Sequence, residues 1–565
     1  SAVAGGRPLG QALAGAVTPD LRRGRREAAR RWVAALGIAA AVASGAGCGP
    51  SSVAPPSRLA AAAAPAHAHL LPARMRRLTN VEYEQTMSAL LGAPVNVAER
   101  LPPEVRQEGY TSNAGQTVPS AWAARADALS REEVHRAVTE RLDRLAPCAK
   151  SGASEPACTD RWIASTALHA WRRPPSPGEI AGLRAVFDGA AEGRRFADGA
   201  EAVLVLLLES PSLLYLTELG DGGSPGTTLT LGPYEIASLL SYTVQGGPPD
   251  DVLLEAAARG TLLSPDTREA QARRLLARSE TRMHFRRFVL EWLEVDGLAS
   301  TVRDASTYPD YDRLKARMLD ETSAFVDEAM VYGGGSLRAL LDAGFASVDP
   351  AMARFYGLKT WGPRASLAGT RRAGVLQQAS FLAAHAHEDG TSPVKRGDFV
   401  LRRLLCVRIP RPAEVGIETV FPPPEKTKTT RDRFAAHVSD TACSSCHERI
   451  DPFGFTFEGF DAEGGVRAAE NGHAIRTAGQ VEVSGHERSF ADSLELSRWL
   501  AQSPEAAQCY LRQAYRYFTS QSEPAIEDEL LDLARAEPPA LRDNLFEALI
   551  AYVRSDLFVR REVRP

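Results

Sequence analysis

The five residues Cys443-Ser444-Ser445-Cys446-His447 constrain this chain more than any other stretch. In a Cys-x-x-Cys-His run two thiols are spaced to add to the vinyl groups of a haem while the adjacent imidazole reaches the iron, so the motif points to haem c as cofactor. A redox dithiol and half of a zinc site are the competing readings. With haem, Cys443 and Cys446 carry the covalent links and His447 is the proximal iron ligand. Many small electron-transfer cytochromes place a methionine on the far side. Here all six methionines (Met75, Met87, Met283, Met318, Met330 and Met352) lie far upstream of the motif. The only histidines downstream are His473 and His486, and His437 is the near one upstream. Three states stay open: bis-His iron, ligation by an upstream domain, and an open sixth site that admits small ligands or peroxide. Among the distal candidates His473 ranks above His486.

The stretch that starts at His447, HERIDPFGFTFEGFDAEGGVR, resembles the one that follows the haem motif in the planctomycete-type cytochrome c proteins. These are exported multi-domain proteins, common in planctomycetes and myxobacteria, built from domains of unknown function. The resemblance extends over almost the whole mature chain. Its landmarks are Arg77-Leu78-Thr79 with Glu82-Tyr83 and Leu90-Leu91-Gly92, Trp171-Arg172-Arg173-Pro174, and Tyr234-Glu235-Ile236-Ala237 with Leu239-Leu240-Ser241-Tyr242. Further on come Arg372-Ala373-Gly374-Val375-Leu376, Thr391-Ser392-Pro393-Val394 with Arg396-Gly397, and Ser555-Asp556 with Phe558. It implies a fold and a haem cofactor rather than an activity.

The first residues read as address, not fold. Arginines from Arg22 to Arg31 form a positive n-region, and Trp32–Ser44 is an Ala-rich apolar run of signal-sequence length. It ends at Gly45-Ala46-Gly47-Cys48, which resembles a lipobox with Gly45 in place of the usual leucine, and makes Cys48 the lipidation candidate. The expectation is an exported protein, periplasmic or on the outer membrane, held to the membrane by a lipid anchor only. Seven cysteines fit an oxidising compartment. After Cys48 and the motif pair, Cys148 and Cys158 flank a short Gly/Ser/Pro loop suited to a local disulfide. Cys406 and Cys509 are left as a long-range pair or as two buried thiols.

Hydrophobic periodicity and caps predict a mainly α chain: multi-helical domains followed by a small cytochrome-c-like helical module. The division expected is a signal peptide and upstream extension over 1–47, a tether over 48–70, and N-terminal helical domains over 71–225. A central helical domain over 226–365, a connecting domain with a Pro-rich link over 366–425, and the CxxCH module with C-terminal helices over 426–565 follow. Caps are expected at Thr79, Asp250, Ser264, Ser336, Asp349, Ser392, Ser489 and Ser503. One long helix is read from Pro265 past Phe288, another over Gly374–Ala386, and only a short strand at Thr227–Leu231. His385, His387, Glu388 and Asp389 gather at a predicted helix end, as a metal or second haem site or as solvated caps. Glu458 or Asp461 is expected to meet Arg467 or to tune the proximal imidazole.

A formal net charge of -4 with no basic excess argues against nucleic acid as partner. No Gly-x-Ser-x-Gly elbow, His-Glu-x-x-His zinc motif or phosphate loop is present, so hydrolysis has no positive support. Two functions are left: electron transfer or haem-based redox chemistry at the cell envelope with a redox partner protein, or a non-enzymatic scaffold or surface-binding protein whose CxxCH is structural.

Overall fold

The computed structural model describes residues 69–149, 156–192, 195–416, 425, 427–439, 441–538 and 543–564. The leader, Cys48 and most of the tether lie outside them. The described chain is mainly α, and its strands pair in two-stranded antiparallel ladders. None of its helices is long and apolar enough to cross a membrane.

Short strand Arg74–Arg77 leads into helix Asn80–Leu91. The Thr79 side chain accepts the Glu82 N–H and the Glu82 carboxylate accepts the Thr79 N–H, so two of the helix's orphan donors are satisfied reciprocally. Tyr83, Met87 and Leu91 face the core. Glu82 is itself buried and takes two 2.7 Å hydrogen bonds from Arg76. It is thus a paired core carboxylate more than a dipole partner. Helices Ser120–Leu145, Pro156–Trp171, Pro177–Ala191 and Phe196–Glu209 share this core, where Phe196 packs edge-on against Trp162 and Phe187. A Cys148–Cys158 disulfide, Cα atoms 5.8 Å apart, ties the end of the first of these four to the start of the second.

A larger core is built from helices Pro233–Gln245, Pro265–Leu276, Ser279–Trp292 and Tyr311–Gly333, together with Pro504–Thr519, Pro524–Ala536 and Leu545–Arg554 from the C-terminal end. Phe518 meets Phe285 at 4.8 Å and Tyr510 meets Trp292 at 5.1 Å between ring centroids, so these C-terminal aromatics serve helix packing. The chain's last strand, Arg560–Glu562, pairs with Thr228–Thr230. Beside it Arg561 and Arg74 both hold the buried Glu218. Burial alone would raise that carboxyl, but the two guanidiniums hold it down at about 2.

Several expected elements differ. The helix begun at Pro265 breaks at Ala277-Arg278, where Arg278 turns aside to Asp250 and Glu280, and restarts at Ser279. Over Gly374–Ala386 there is a 3₁₀ turn, Val375–Gln377, and a short helix, Ala379–Ala384. Gly374 has φ 54° and ψ -161°, and a Cβ there would lie 2.3 Å from the Leu340 carbonyl oxygen, so backbone approach overrides the helical pattern. Two hairpins, Ala469–Glu470 with His473–Ala474 and Gly479–Val483 with His486–Phe490, lie within the module expected to be helical. Ser489 therefore lies in a strand, and Asp492 caps helix Ser493–Leu500 instead.

One buried acid sets a pH dependence. Glu321, on helix Tyr311–Gly333, accepts a 2.7 Å hydrogen bond from the Tyr356 hydroxyl, and its other oxygen has no partner. Burial pushes this carboxyl up to about 8, against the 4.5 of an exposed glutamate. The folded chain then holds a proton that the unfolded chain has released, so stability falls as pH rises between these two values, at up to about 1.4 kcal/mol per pH unit. Glu104 and Glu463, both pushed up to about 7 by burial, add to the same trend. E321Q is expected to flatten the loss and to exceed the parent in stability at pH 8 but not at pH 5. Urea melts at the two pH values test this, and parallel pH profiles would refute it.

Candidate functional site

Cys443, Cys446 and His447 lie on one helix, Thr441–Phe455, at positions i, i+3 and i+4. A 3.6-residue period places all three on the same face. Both cysteines are free thiols and half-buried. One turn further on, Asp451 points back: its Oδ1 lies 3.0 Å from His447 Nδ1. That carboxylate is 1% exposed, and its Oδ2 has no hydrogen-bond partner. Pro452 sits inside the helix and withholds one backbone N–H from the i→i−4 ladder.

Helix Pro393–Phe399 fixes the motif helix in place. Ser392 caps it by accepting the Lys395 N–H, and Pro393 opens its first turn. The two helices touch backbone to backbone through two glycines. A Cβ on Gly397 would meet the Ile450 carbonyl oxygen at 2.1 Å, and one on Gly454 would meet that of Pro393 at 1.9 Å. Arg396, fully buried, then donates to the carbonyl oxygens of Leu382, Phe457, Phe460 and Asp461 at 3.0–3.3 Å. One guanidinium thus staples the turn that follows the motif helix onto the preceding domain. Glu458 completes the staple: its Oε2 accepts from Thr391 Oγ1 at 2.9 Å and Arg467 Nη2 at 2.7 Å. Burial raises this carboxyl, with Arg467 and Arg396 pulling the other way. Glu458 does meet Arg467, whereas Asp461 accepts the Glu463 and Gly465 N–H groups of its own turn. The group on the His447 imidazole is Asp451.

The other candidate residues are dispersed. His473 and His486 are exposed, each on its own hairpin. His437 lies on helix Thr430–Ser439, and its side chain is outside the described atoms. Of the polar cluster, Glu388 and Asp389 are exposed and His387 is half-buried, its pKa lowered by burial and then by Lys395. His385 is buried, its ring tilted against that of Phe381 with centroids 4.5 Å apart, and its Nε2 lies 3.7 Å from Glu294. Among the described residues no three His, Cys, Asp or Glu side chains converge to hold a metal ion.

A disulfide joins Cys406 to Cys509. Beside it runs a polar cleft lined by Arg106, Arg402, Arg403, Arg516, Glu294 and Gln513. Four of its five arginines are engaged: Arg402 and Arg403 on Glu294, Arg106 on Asp296, Arg516 on Glu527. Burial works to raise Glu294, yet His385 and these guanidiniums hold it well below the usual carboxylate range.

The donor set at the motif suits a c-type haem. Two thiols and an imidazole share a face, and with Asp451 on Nδ1 the ring nitrogen that an iron would take is Nε2. His447 is the hydrogen-bond partner of the buried carboxylate, and among the described residues no lysine or arginine is seen to pair with it. A cation on Nε2 would supply the missing positive charge.

Four family models match the chain, in this order: PSD3, protein of unknown function (DUF1587), over 76–139; PSD5 (DUF1595) over 158–218; PSD4 (DUF1592) over 231–358; and PSCyt3 (DUF1588) over 372–470. The last takes in both Arg396 and the Cys443–His447 motif, so the clamp and the helix it holds fall in one matched unit. No curated protein and no solved structure matches the chain.

Proposed function

We propose that this chain, a multi-domain protein of the planctomycete type with a cytochrome-c-like domain, is an exported monohaem c-type protein that carries electrons, or supports haem-based redox chemistry, at the cell envelope. The observation that carries the reading is the shared helix face of Cys443, Cys446 and His447 with the buried Asp451 behind the imidazole. When bound, haem c supplies a one-electron Fe(III)/Fe(II) couple. Cys443 and Cys446 would hold it covalently, His447 would offer Nε2 to the iron, and Asp451 would fix the ring and its Nδ1–H tautomer. The close backbone approaches of Gly397 to Ile450 and of Gly454 to Pro393, together with Arg396, keep that helix from shifting. A partner protein delivers the electron, and Cys48 tethers the mature chain by lipid at the membrane surface.

Coexpression with a c-type haem maturation system tests this directly. A reduced pyridine haemochrome spectrum is expected to show covalent haem c in the parent and none in a C443S/C446S double variant. Well-folded parent protein without haem would remove the redox reading and leave the scaffold or dithiol reading in its place.

A further inference from the structure

We infer that Asp451 is a positioning residue that gives His447 strong anionic character and thereby sets the haem iron to a low reduction potential, an inference that rests on the haem reading above. The geometry is specific. His447 Nδ1 and Asp451 Oδ1 are 3.0 Å apart across one helical turn, and the carboxylate is 1% exposed. Among the described residues no guanidinium pairs with it: Oδ2 has no partner, and the ion pair it makes is to His447.

A charge-assisted bond in a site of low dielectric pulls the Nδ1–H proton toward the carboxylate and leaves the ring a stronger donor at Nε2. Such a donor stabilises ferric over ferrous iron, because the extra negative charge is matched by the higher oxidation state. A backbone carbonyl in the same place would polarise the ring far less. The surroundings keep the pair intact. Ile450 and Phe453, on either side of the acid in sequence, are buried in the main core, and Gly454 is locked against Pro393. The carboxylate therefore cannot swing out to solvent without unpacking the motif helix.

Asp451→Asn keeps the shape and an oxygen acceptor for Nδ1–H but removes the charge. In the full chain carrying haem c, redox titration is expected to show the ferrous form favoured at least tenfold more than in the parent at a given potential, an upward shift of about 59 mV for this one-electron couple. An unchanged midpoint in haem-loaded D451N overturns the inference and leaves the haem reading standing, whereas a parent without haem sinks both. Should D451N fail to load haem, the ferric EPR spectrum of the parent decides. A g-tensor of the imidazolate-like class supports the inference, and one of the neutral-imidazole class overturns it.

Discussion

Replacing Arg396 by methionine is expected to destabilise the folded chain by about 3–5 kcal/mol, the range seen when one partner of a buried polar network is removed. The side chain is 0% exposed and donates to four carbonyl oxygens: Leu382 from the short helix before it and Phe457, Phe460 and Asp461 from the turn after the motif helix. Methionine fills much of the volume but offers no donor, so the Leu382 and Phe460 carbonyls lose the guanidinium, while Phe457 and Asp461 keep only the N–H groups of Phe460 and Gly464. Glu458, 3.7 Å from Arg396, keeps Arg467 and Thr391 but loses a nearby positive charge. Lysine restores charge yet not the planar fork that reaches both sides of the turn, so R396K should recover only part of the loss. Urea denaturation at constant m-value measures both variants, and a cost below about 1 kcal/mol for R396M would refute the stapling role.

The consequence reaches the haem motif. Residues 457–461 continue directly from the helix that carries Cys443, Cys446 and His447, so the staple sets where that helix ends. A folded R396M variant is therefore expected to load haem less completely than the parent, with no contact to haem having been altered.

The places where the sequence was and was not legible have a common physical cause. Caps are local, and most were readable. Thr79, Asp250, Ser336, Asp349, Ser392 and Ser503 each accept a backbone N–H from the first turn of the predicted helix. Ser264 precedes its proline-led helix as expected but makes no side-chain cap bond. The mainly α class followed from the same periodicity. Asp451 was missed for a different reason. Pro452 and Gly454 are helix breakers, and they mask the four-residue helical spacing between His447 and Asp451. The structure runs the helix to Phe455 through both breakers, and that extension alone brings the carboxylate under the imidazole. Arg396 was visible as part of Thr391–Gly397, but its acceptors lie 14 to 65 residues away in sequence. Only tertiary packing could bring them together. The same holds for the hairpins at 469–490, whose strands are short and mostly exposed and so carry little apolar alternation.

Loss of the Cys406–Cys509 disulfide should have an effect as large as that of Arg396, by a different route. The bond closes a sequence separation of 103 residues, and the loop so formed contains the whole motif helix and both hairpins. In the loop-entropy model such a closure restricts the unfolded chain by about 4–5 kcal/mol, less whatever strain the folded state stores. C406A/C509A is thus expected to lower the unfolding free energy by most of that amount while leaving the packing nearly unchanged, since Cys509 is buried among apolar neighbours. The single variant C509A should behave differently in an oxidising compartment. It frees the Cys406 thiol, which can attack a Cys443–Cys446 disulfide formed by the oxidants of that compartment, making a mixed disulfide with one motif cysteine and releasing the other as a thiol before the thioether bonds form. Haem c content, measured as haemochrome per folded chain, is therefore expected to be lower in C509A than in the double variant, although the double variant lacks the same cross-link. Equal haem content in the two would mean that Cys406 never competes for the motif cysteines, and that the disulfide acts through stability alone.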